Sequence, residues 1–332
     1  MPSRERYAPI SGVSAVSREK PRNLAASVRQ KLFNRAQQRH EDFGLVLTKY
    51  GLERFLYRLA QSKYWDQFVL KCALLFELWT HRPYRPTRDL DLEGLGENSI
   101  ARIKRLFAEI VSQVVEDDGL VFDPQSLNVA RIKEDQEYEG LRVNFLARLE
   151  RARIHMQVDV GFGDVIVPPP QETAYPAMLD FPSAHLLAYP RETVVSEKLE
   201  ALVKLGIANT RMKDFYDLWK LSCDFDFDGS LLSDAIKATF KRRRTEIPSD
   251  TPLALTHEFS RDLQKAKLWQ AFVKKGNLDH DHATLDEVVA ELTRFVMPPL
   301  QAIRRSQHFP LTWLKSGPWS PQNMRTYQKR TR

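Results

Sequence analysis

The sequence predicts an α+β protein, with a mixed β-sheet flanked by helices and a helical C-terminal half. Residues 89–92 alternate strictly between polar and apolar side chains, as a half-buried strand does. Three more strand candidates lie at 127–133, 140–147 and 153–160. The second half instead repeats its apolar residues at helical spacing. Because 42% of the residues are hydrophobic and 28% are charged, the chain suits a globular fold with a sizeable core.

The elements of the first half follow from these patterns. Residues 23–62 are predicted to form helices, and 68–79 a strand end followed by a helix. Residues 99–115 carry one apolar face and predict an amphipathic helix. We expect the three later strand candidates to form an antiparallel meander that covers the strand at 89–92.

The second half is predicted to be a series of helices. Gly206 is expected to end the first of them, and Pro298-Pro299 to end the last. The predicted helices span about 193–204, 211–222, 231–243, 257–274 and 284–297.

Composition divides the chain into four segments. Polar, non-periodic residues 1–22 predict a disordered basic N-terminus. Residues 23–170 form the predicted core with its N-terminal helices, and Pro168-Pro169-Pro170 marks its end. Residues 171–300 are the expected helical C-terminal domain, and 301–332 a basic tail.

The net charge of +7 is unevenly distributed. Residues 1–50 carry ten basic and four acidic side chains, and residues 301–332 carry seven basic and none acidic. The middle is therefore acidic, which suits a cation-binding site between ends that attract phosphate. Solvated basic ends without a partner explain the same charges equally well.

The sequence also indicates a cytoplasmic protein. No apolar run reaches the ~18 residues of a membrane span, and no apolar segment follows the basic start as in a signal peptide. Two cysteines are too few for a disulfide framework or a cysteine-rich zinc site.

Three carboxylates are the candidate catalytic centre. Asp89 and Asp91 share one face of their strand because successive side chains alternate. Asp159 lies on the polar face of 153–160, and a third carboxylate on a neighbouring strand would allow two metal ions to be held. Mg²⁺ prefers such oxygen ligands together with substrate phosphates. Solvated aspartates at strand ends are the alternative.

A lysine occupies the apolar side of a predicted helix. On a helical wheel Lys198 lies among apolar residues, so it must either extend to solvent or bind an anion such as a triphosphate. Asp214 lies at the edge of the apolar arc of the next helix. It is predicted to orient Lys198, to cap its helix or to bind substrate. Asp217 falls on the polar side, where an exposed ion-pair ladder would explain it.

Basic and aromatic residues near the C-terminus suggest RNA as a partner. Lys241-Arg242-Arg243-Arg244 and the basic tail suit phosphates, and Trp313, Trp319 and Tyr327 suit stacking on bases. The alternative is a solvated helix end and an unstructured tail.

These segments, taken together, resemble the AbiEii/AbiGii-type nucleotidyltransferase toxins. The likeness covers roughly residues 28–300. It rests on five stretches in the same order and spacing: 68–73 (FVLKCA), 85–92 (RPTRDLDL), 158–164 (VDVGFGD), 196–199 (SEKL) and 211–218 (RMKDFYDL).

The resemblance implies a nucleotidyltransferase-fold core and an activity with Mg²⁺ and a nucleoside triphosphate. It implies that Asp89 and Asp91 are metal ligands, that Asp159 is the third core carboxylate, and that Lys198 and Asp214 are the required lysine and aspartate. The implied nucleotide-binding residues are Lys71, Cys72, Ala73, Thr87, Arg88, Lys198 and Arg211. The implied partners are a transfer RNA whose 3′ end accepts the nucleotide and an antitoxin protein from an adjacent gene.

The chain departs from the family pattern at one position. The family usually has glycine after Lys71, where the backbone approaches the triphosphate, and this chain has Cys72. A side chain there would crowd phosphate if the position requires a positive φ. Two alternatives stay open: a nucleotidyltransferase that modifies protein, and a degenerate module that binds nucleotide or RNA without catalysis, which Cys72 favours.

Overall fold

The computed structural model describes residues 23–80, 84–134, 138–278 and 283–321. The helices in these ranges are α1 (Leu24–Arg39), α2 (Phe43–Gln61), α3 (Leu74–Thr80), α4 (Ile100–Val111), α5 (Arg191–Leu205), α6 (Met212–Asp224), α7 (Gly229–Arg242), α8 (His257–Ser260), α9 (Leu263–Gly276) and α10 (Leu285–Arg304). The strands are β1 (Phe68–Lys71), β2 (Asp89–Gly94), β3 (Leu120–Glu134), β4 (Tyr138–Leu149), β5 (Ala152–Phe162), β6 (Gln171–Tyr175), β7 (Ala184–Ala188), β8 (Phe227–Asp228), β9 (Leu311–Trp313) and β10 (Trp319–Pro321).

Seven strands form one mixed sheet, in the order β3-β4-β5-β2-β1-β7-β6. The pairs β2–β5 and β1–β7 are parallel, and the remaining pairs are antiparallel. The predicted meander is confirmed, since β3, β4 and β5 pair in succession and β5 lies against β2. The α+β class predicted from the sequence is therefore confirmed.

The alternation of β5 explains how the sheet is packed. Ile154, Met156 and Val158 are buried on one face, while the residues between them turn to the other face. Helix α2 packs against that apolar face, and Gly51 allows the close approach, because a Cβ there would lie 2.7 Å from the sulfur of Met156. The apolar face of β5 is thus covered by α2, which leaves the polar face of β2 and β5 for a site.

The sheet extends beyond the proline run at 168–170. Residues 171–188, which the sequence placed in the helical half, contribute β6 and β7. The hydrophobic segment Ala184–Ala188 alternates between buried and less buried residues and pairs in parallel with β1. Its partner strand β1 lies far away in the sequence. Local periodicity therefore could not show that residues 184–188 belong to the sheet.

Helix α10 continues through Pro298-Pro299, so the prediction that these prolines end it is wrong. A proline at position 299 has no N–H for the carbonyl of Phe295, four residues earlier. The indole Nε1–H of Trp319 donates to that carbonyl at 2.9 Å. The long-range hydrogen bond therefore satisfies a group that the prolines leave unpaired.

Part of the predicted basic tail is folded. Strands β9 and β10 join β8 in a three-stranded sheet, which buries Trp313 completely. The expected stacking of Trp313 on bases is therefore wrong, because its ring lies in the core against Phe295. The predictions for residues 1–22, for 322–332 and for Tyr327 lie outside the described residues.

Among the described residues, no helix combines the length and the hydrophobicity that crossing a bilayer requires.

Candidate active site

Two adjacent parallel strands bring the three predicted carboxylates to one part of the sheet. In the register of β2 and β5, Asp91 lies directly beside Asp159, and Asp89 lies beside Gln157. Asp89 and Asp91 are two residues apart on β2 and so point to the same face. Apolar neighbours such as Leu90 and Val158 are buried on the opposite face and fix this orientation.

The electrostatics of Asp89 and Asp91 favour a bound cation. Burial raises the pKa of Asp89, and the negative charge of Asp159 adds to that rise. Burial likewise raises the pKa of Asp91, with Lys213 and Lys71 opposing the rise. Neither side chain makes a hydrogen bond or ion pair within the described residues. Two partly desolvated carboxylates without partners fit the donor set that a divalent cation prefers.

Asp159 already has a cationic partner. Arg142, its register neighbour on β4, donates to both carboxylate oxygens at 2.8 and 2.7 Å. Across the described ranges, no group of three or more His, Cys, Asp or Glu is arranged to hold a metal ion. Asp89 and Asp91 are therefore the side chains with acceptor oxygens free for a cation, and the metal-ligand roles of all three carboxylates stay predictions.

Lys198 is buried and ion-paired. Its Nζ lies 2.8 Å from Oδ1 of Asp214 and 2.9 Å from Oδ2 of Asp217. Asp214 was predicted to orient Lys198, to cap its helix or to bind substrate. The structure shows the ion pair with Lys198 that the first of these roles requires. The placement of Asp217 in an exposed ladder is wrong, because that residue is fully buried. A helical wheel could not reveal this burial, since the polar side of α6 packs against other charged groups.

Two arginines complete this buried ion-pair network. Arg85 donates to both oxygens of Asp217 at 2.8 and 3.0 Å. Nε of Arg211 lies 2.7 Å from Asp214. Burial acts to raise the pKa of Asp217, but the positive charges of Arg85 and Lys198 lower it to about 2. Sequence reasoning gave neither Arg85 nor Asp217 a role in the site, although both stood within the segments that carried the family likeness.

A second ion-pair network surrounds Lys71. Its Nζ lies 2.9 Å from Glu93 and 3.4 Å from Asp164, and Arg243 contacts Asp164 at 3.0 Å. Gly161 makes room for these groups, because a Cβ there would lie 2.8 Å from Nζ of Lys71. Glu93, Asp164 and Arg243 were missed as site residues, since their partners lie far away in the sequence.

Cys72 occupies the tight turn between β1 and α3 and has φ +63°. This left-handed conformation is the one that glycine adopts without strain. The position thus has the positive φ at which, by the sequence analysis, a side chain would crowd a bound phosphate. Burial raises the pKa of the Cys72 thiol to about 12. The sulfur is therefore a neutral thiol at physiological pH and a poor nucleophile.

All of the predicted site residues line one cavity of about 1170 Å³. The β1–α3 turn contributes Lys71, Cys72 and Ala73, and the strands contribute the carboxylates. Thr87 and Arg88 precede β2, where the Thr87 hydroxyl donates to the backbone carbonyl of Asp89 at 3.2 Å. Helices α5 and α6, with Arg211 at the start of α6, form the wall that carries Lys198 and Asp214.

Comparison with known proteins agrees with this arrangement. The family described as "Nucleotidyl transferase AbiEii toxin, Type IV TA system" matches residues 54–291, which include every predicted site residue. The chain belongs to the AbiEii family. The AbiEii chain thus carries the nucleotidyltransferase fold, and its family consists of toxins of type IV toxin–antitoxin systems.

Solved structures similar to the AbiEii chain come from Helicobacter pylori. JHP933 is 15% identical, with a TM-score of 0.44, over 77% of this chain and 92% of that one. A second structure, of a protein proposed to be a nucleotidyltransferase, is 16% identical, with a TM-score of 0.44, over 78% and 96% of the two chains. No curated protein matches the chain significantly.

Proposed function

We propose that this AbiEii protein transfers a nucleotide from a nucleoside triphosphate to a hydroxyl group of RNA, namely the 3′ end of a transfer RNA, with Mg²⁺. The observation that carries the proposal is the position of Asp91 beside Asp159 on parallel strands, with Asp89 two residues away on the same face. This carboxylate set opens into a cavity large enough for a nucleotide.

Asp89 and Asp91 are the residues that would hold the metal ion. Mg²⁺ bound there would neutralise negative charge on the phosphates of the nucleotide. The proposal does not require Asp159 as a metal ligand, because Arg142 occupies one acceptor position on each of its oxygens. A carboxylate keeps further acceptor positions, so Asp159 remains able to take the proton of an attacking hydroxyl.

The proposed reaction is a displacement at the α-phosphorus. The RNA hydroxyl oxygen forms the new bond to phosphorus, the bond to pyrophosphate breaks, and the hydroxyl proton passes to Asp159. The chain contributes mainly position and charge. Lys198 contributes indirectly, since its bonds to Asp214 and Asp217 fix the wall of the cavity.

The surface beside the cavity supports RNA as the acceptor only in part. Within the basic run 241–244, Arg243 belongs to the site, because it pairs with Asp164 and Glu200. Lys241 and Arg244 are exposed and available to phosphates. A steep loss of RNA affinity on adding salt would agree with such contacts. The family also supports an antitoxin as a partner, which we propose is encoded by an adjacent gene.

The direct test incubates the protein with each labelled nucleoside triphosphate, total cellular RNA and Mg²⁺. We expect label in transfer RNA, and none when EDTA removes the metal. Asp89→Asn and Asp91→Asn should each reduce transfer by at least a hundredfold, because each loses a metal-binding charge, while their melting temperatures stay close to that of the parent. Undiminished transfer by both variants would refute the proposed role of these carboxylates.

The same experiment distinguishes the alternatives. Label on protein instead of RNA would identify a protein-modifying nucleotidyltransferase. Calorimetry with Mg²⁺ and each triphosphate tests for a degenerate module, which Cys72 favours through its left-handed backbone. A protein that binds triphosphate and RNA but transfers no label would be such a module.

A further inference from the structure

The cations that line the cavity differ in whether the protein itself already neutralises them. Lys71 is paired with Glu93 and Asp164, and Lys198 with Asp214 and Asp217. The arginines of the cavity that are paired with carboxylates are Arg85, Arg88, Arg142, Arg211 and Arg243. A cation with two carboxylate partners has little net charge left for a substrate phosphate.

Lys213 differs from these residues. It lines the cavity and is exposed, and within the described ranges it makes no hydrogen bond or ion pair. Its positive charge lowers the pKa of both Asp89 and Asp91, so its ammonium lies within electrostatic range of the two carboxylates in the same cavity. An unpaired ammonium beside two carboxylates is what a bound polyphosphate and its metal ion require on the protein side.

The local fold fixes where Lys213 can reach. It is the second residue of α6 and directly precedes Asp214, whose side chain is anchored by Lys198 and Arg211. The backbone of Lys213 is therefore held by a buried network, whereas its own ammonium is uncommitted. Lys275 also lines the cavity, but it lies in the last turn of α9 and is not adjacent to a residue of the buried ion-pair network.

We propose that Lys213, rather than Lys198, is the side chain that binds the polyphosphate of the nucleoside triphosphate. In this assignment Lys198 and Lys71 are positioning residues that hold the walls of the cavity. Lys213 contacts the β- and γ-phosphates and then neutralises charge on the departing pyrophosphate. The inference rests on the proposed function, because it names a substrate contact within the same site.

The test compares nucleotide binding by the parent protein with binding by Lys213→Ala, Lys213→Arg and Lys220→Ala. Lys220 is a matched control, since it lies two helical turns further along α6 and pairs with Asp224. We expect Lys213→Ala to weaken binding of the triphosphate, and of inorganic tripolyphosphate, by about tenfold or more. Binding of the nucleoside monophosphate should stay unchanged, and Lys213→Arg should restore most of the affinity.

A second measurement separates this role from a structural one. Lys213 repels a divalent ion at Asp89 and Asp91, so Lys213→Ala should bind Mn²⁺, titrated alone, at least as tightly as the parent. A variant that lost Mn²⁺ and monophosphate binding along with triphosphate binding would show a damaged site and overturn the assignment. Equal triphosphate affinity in the parent and Lys213→Ala would also overturn it. A parent that binds no triphosphate would instead refute the proposed function.

Discussion

At the scale of single residues, Cys72 shows how one side chain can limit a site. Its φ of +63° places a β-carbon in a conformation that disfavours L-residues by about 1 kcal/mol. The turn itself is needed, because it joins β1 to α3 beneath the cavity. The residue therefore combines backbone strain with a half-buried thiol in the wall of the cavity.

Cys72→Gly should raise the free energy of unfolding by about 1 kcal/mol, because it removes the strain of the left-handed conformation. It should also tighten triphosphate binding, since no side chain then crowds the phosphates. Urea unfolding and calorimetry measure the two effects. Cys72→Ala is the control, because it removes the sulfur but keeps the strain. A Gly variant no more stable than the Ala variant would contradict the expectation.

The lowered pKa of Asp217 predicts that the stability of the protein depends on pH. That pKa is about 2 in the folded protein, below the ordinary value of 3.8. The ionised carboxylate therefore contributes stability that is fully present above about pH 4 and is lost as the pH falls towards 2. Because Arg85 loses its buried carboxylate partner and Lys198 keeps only Asp214, Asp217→Asn should be several kcal/mol less stable at neutral pH.

The measurement is acid-dependent unfolding of the parent and Asp217→Asn. Their difference in unfolding free energy should be constant above pH 4 and should shrink between about pH 4 and 2. A difference that does not change over this window would mean that Asp217 does not carry its charge as the ion pairs indicate.

At the scale of elements, helix α10 shows a compensation between distant segments. Pro299 removes the N–H that would serve the carbonyl of Phe295, and Trp319 of β10 supplies another donor. The ring of Trp319 also stacks on Phe295, with centroids 5.9 Å apart. The helix and the small sheet therefore depend on each other.

A double-mutant cycle tests this dependence. Trp319→Phe should lower the unfolding free energy by about 1 kcal/mol or more, because the Phe295 carbonyl loses its donor. In a Pro299→Ala background the same change should have a smaller effect, since the introduced alanine supplies the helical N–H. Urea unfolding of the four proteins gives the coupling. Equal effects in both backgrounds would contradict the compensation.

Local signals in the sequence predicted most of these elements. The strands at 89–92 and 153–160, the helix ending at Gly206 and the strand followed by a helix around Lys71 are all confirmed. Each depends on periodicity or on a single residue with a special backbone preference. The continuation of α10 through its prolines could not be predicted, because its compensating donor lies twenty residues away.

At the scale of the whole molecule, the sheet joins segments that composition had separated. Strand β7 lies in parallel beside β1, although more than a hundred residues separate them, and α2 packs on both β5 and β7. The carboxylate face was predictable from alternation, whereas the ion pairs Arg85–Asp217 and Arg142–Asp159 were not. Those pairs depend on which strands and helices become neighbours, and a single sequence does not show that.

This topology predicts that residues 23–170 do not fold alone. The fragment lacks β7, so β1 would have an unpaired edge and α2 would expose the part of its apolar face that packs on β7. We expect no cooperative thermal unfolding by circular dichroism, in contrast to residues 23–321. A fragment 23–170 with a sharp transition and dispersed NMR signals would show that the core is independent of the later strands.

The ion pairs that cross the cavity also determine how a substrate can enter. Arg85 precedes β2 and Asp164 follows β5, yet their partners lie on α6 and next to α7. Swinging the helices away from the sheet would leave several dehydrated charges unpaired, and even one such break costs about 3–5 kcal/mol. Hinge opening is therefore disfavoured, and we expect the cavity to keep its shape when a ligand enters. Selectivity should then depend on whether an incoming molecule already has a shape that passes the fixed entrance.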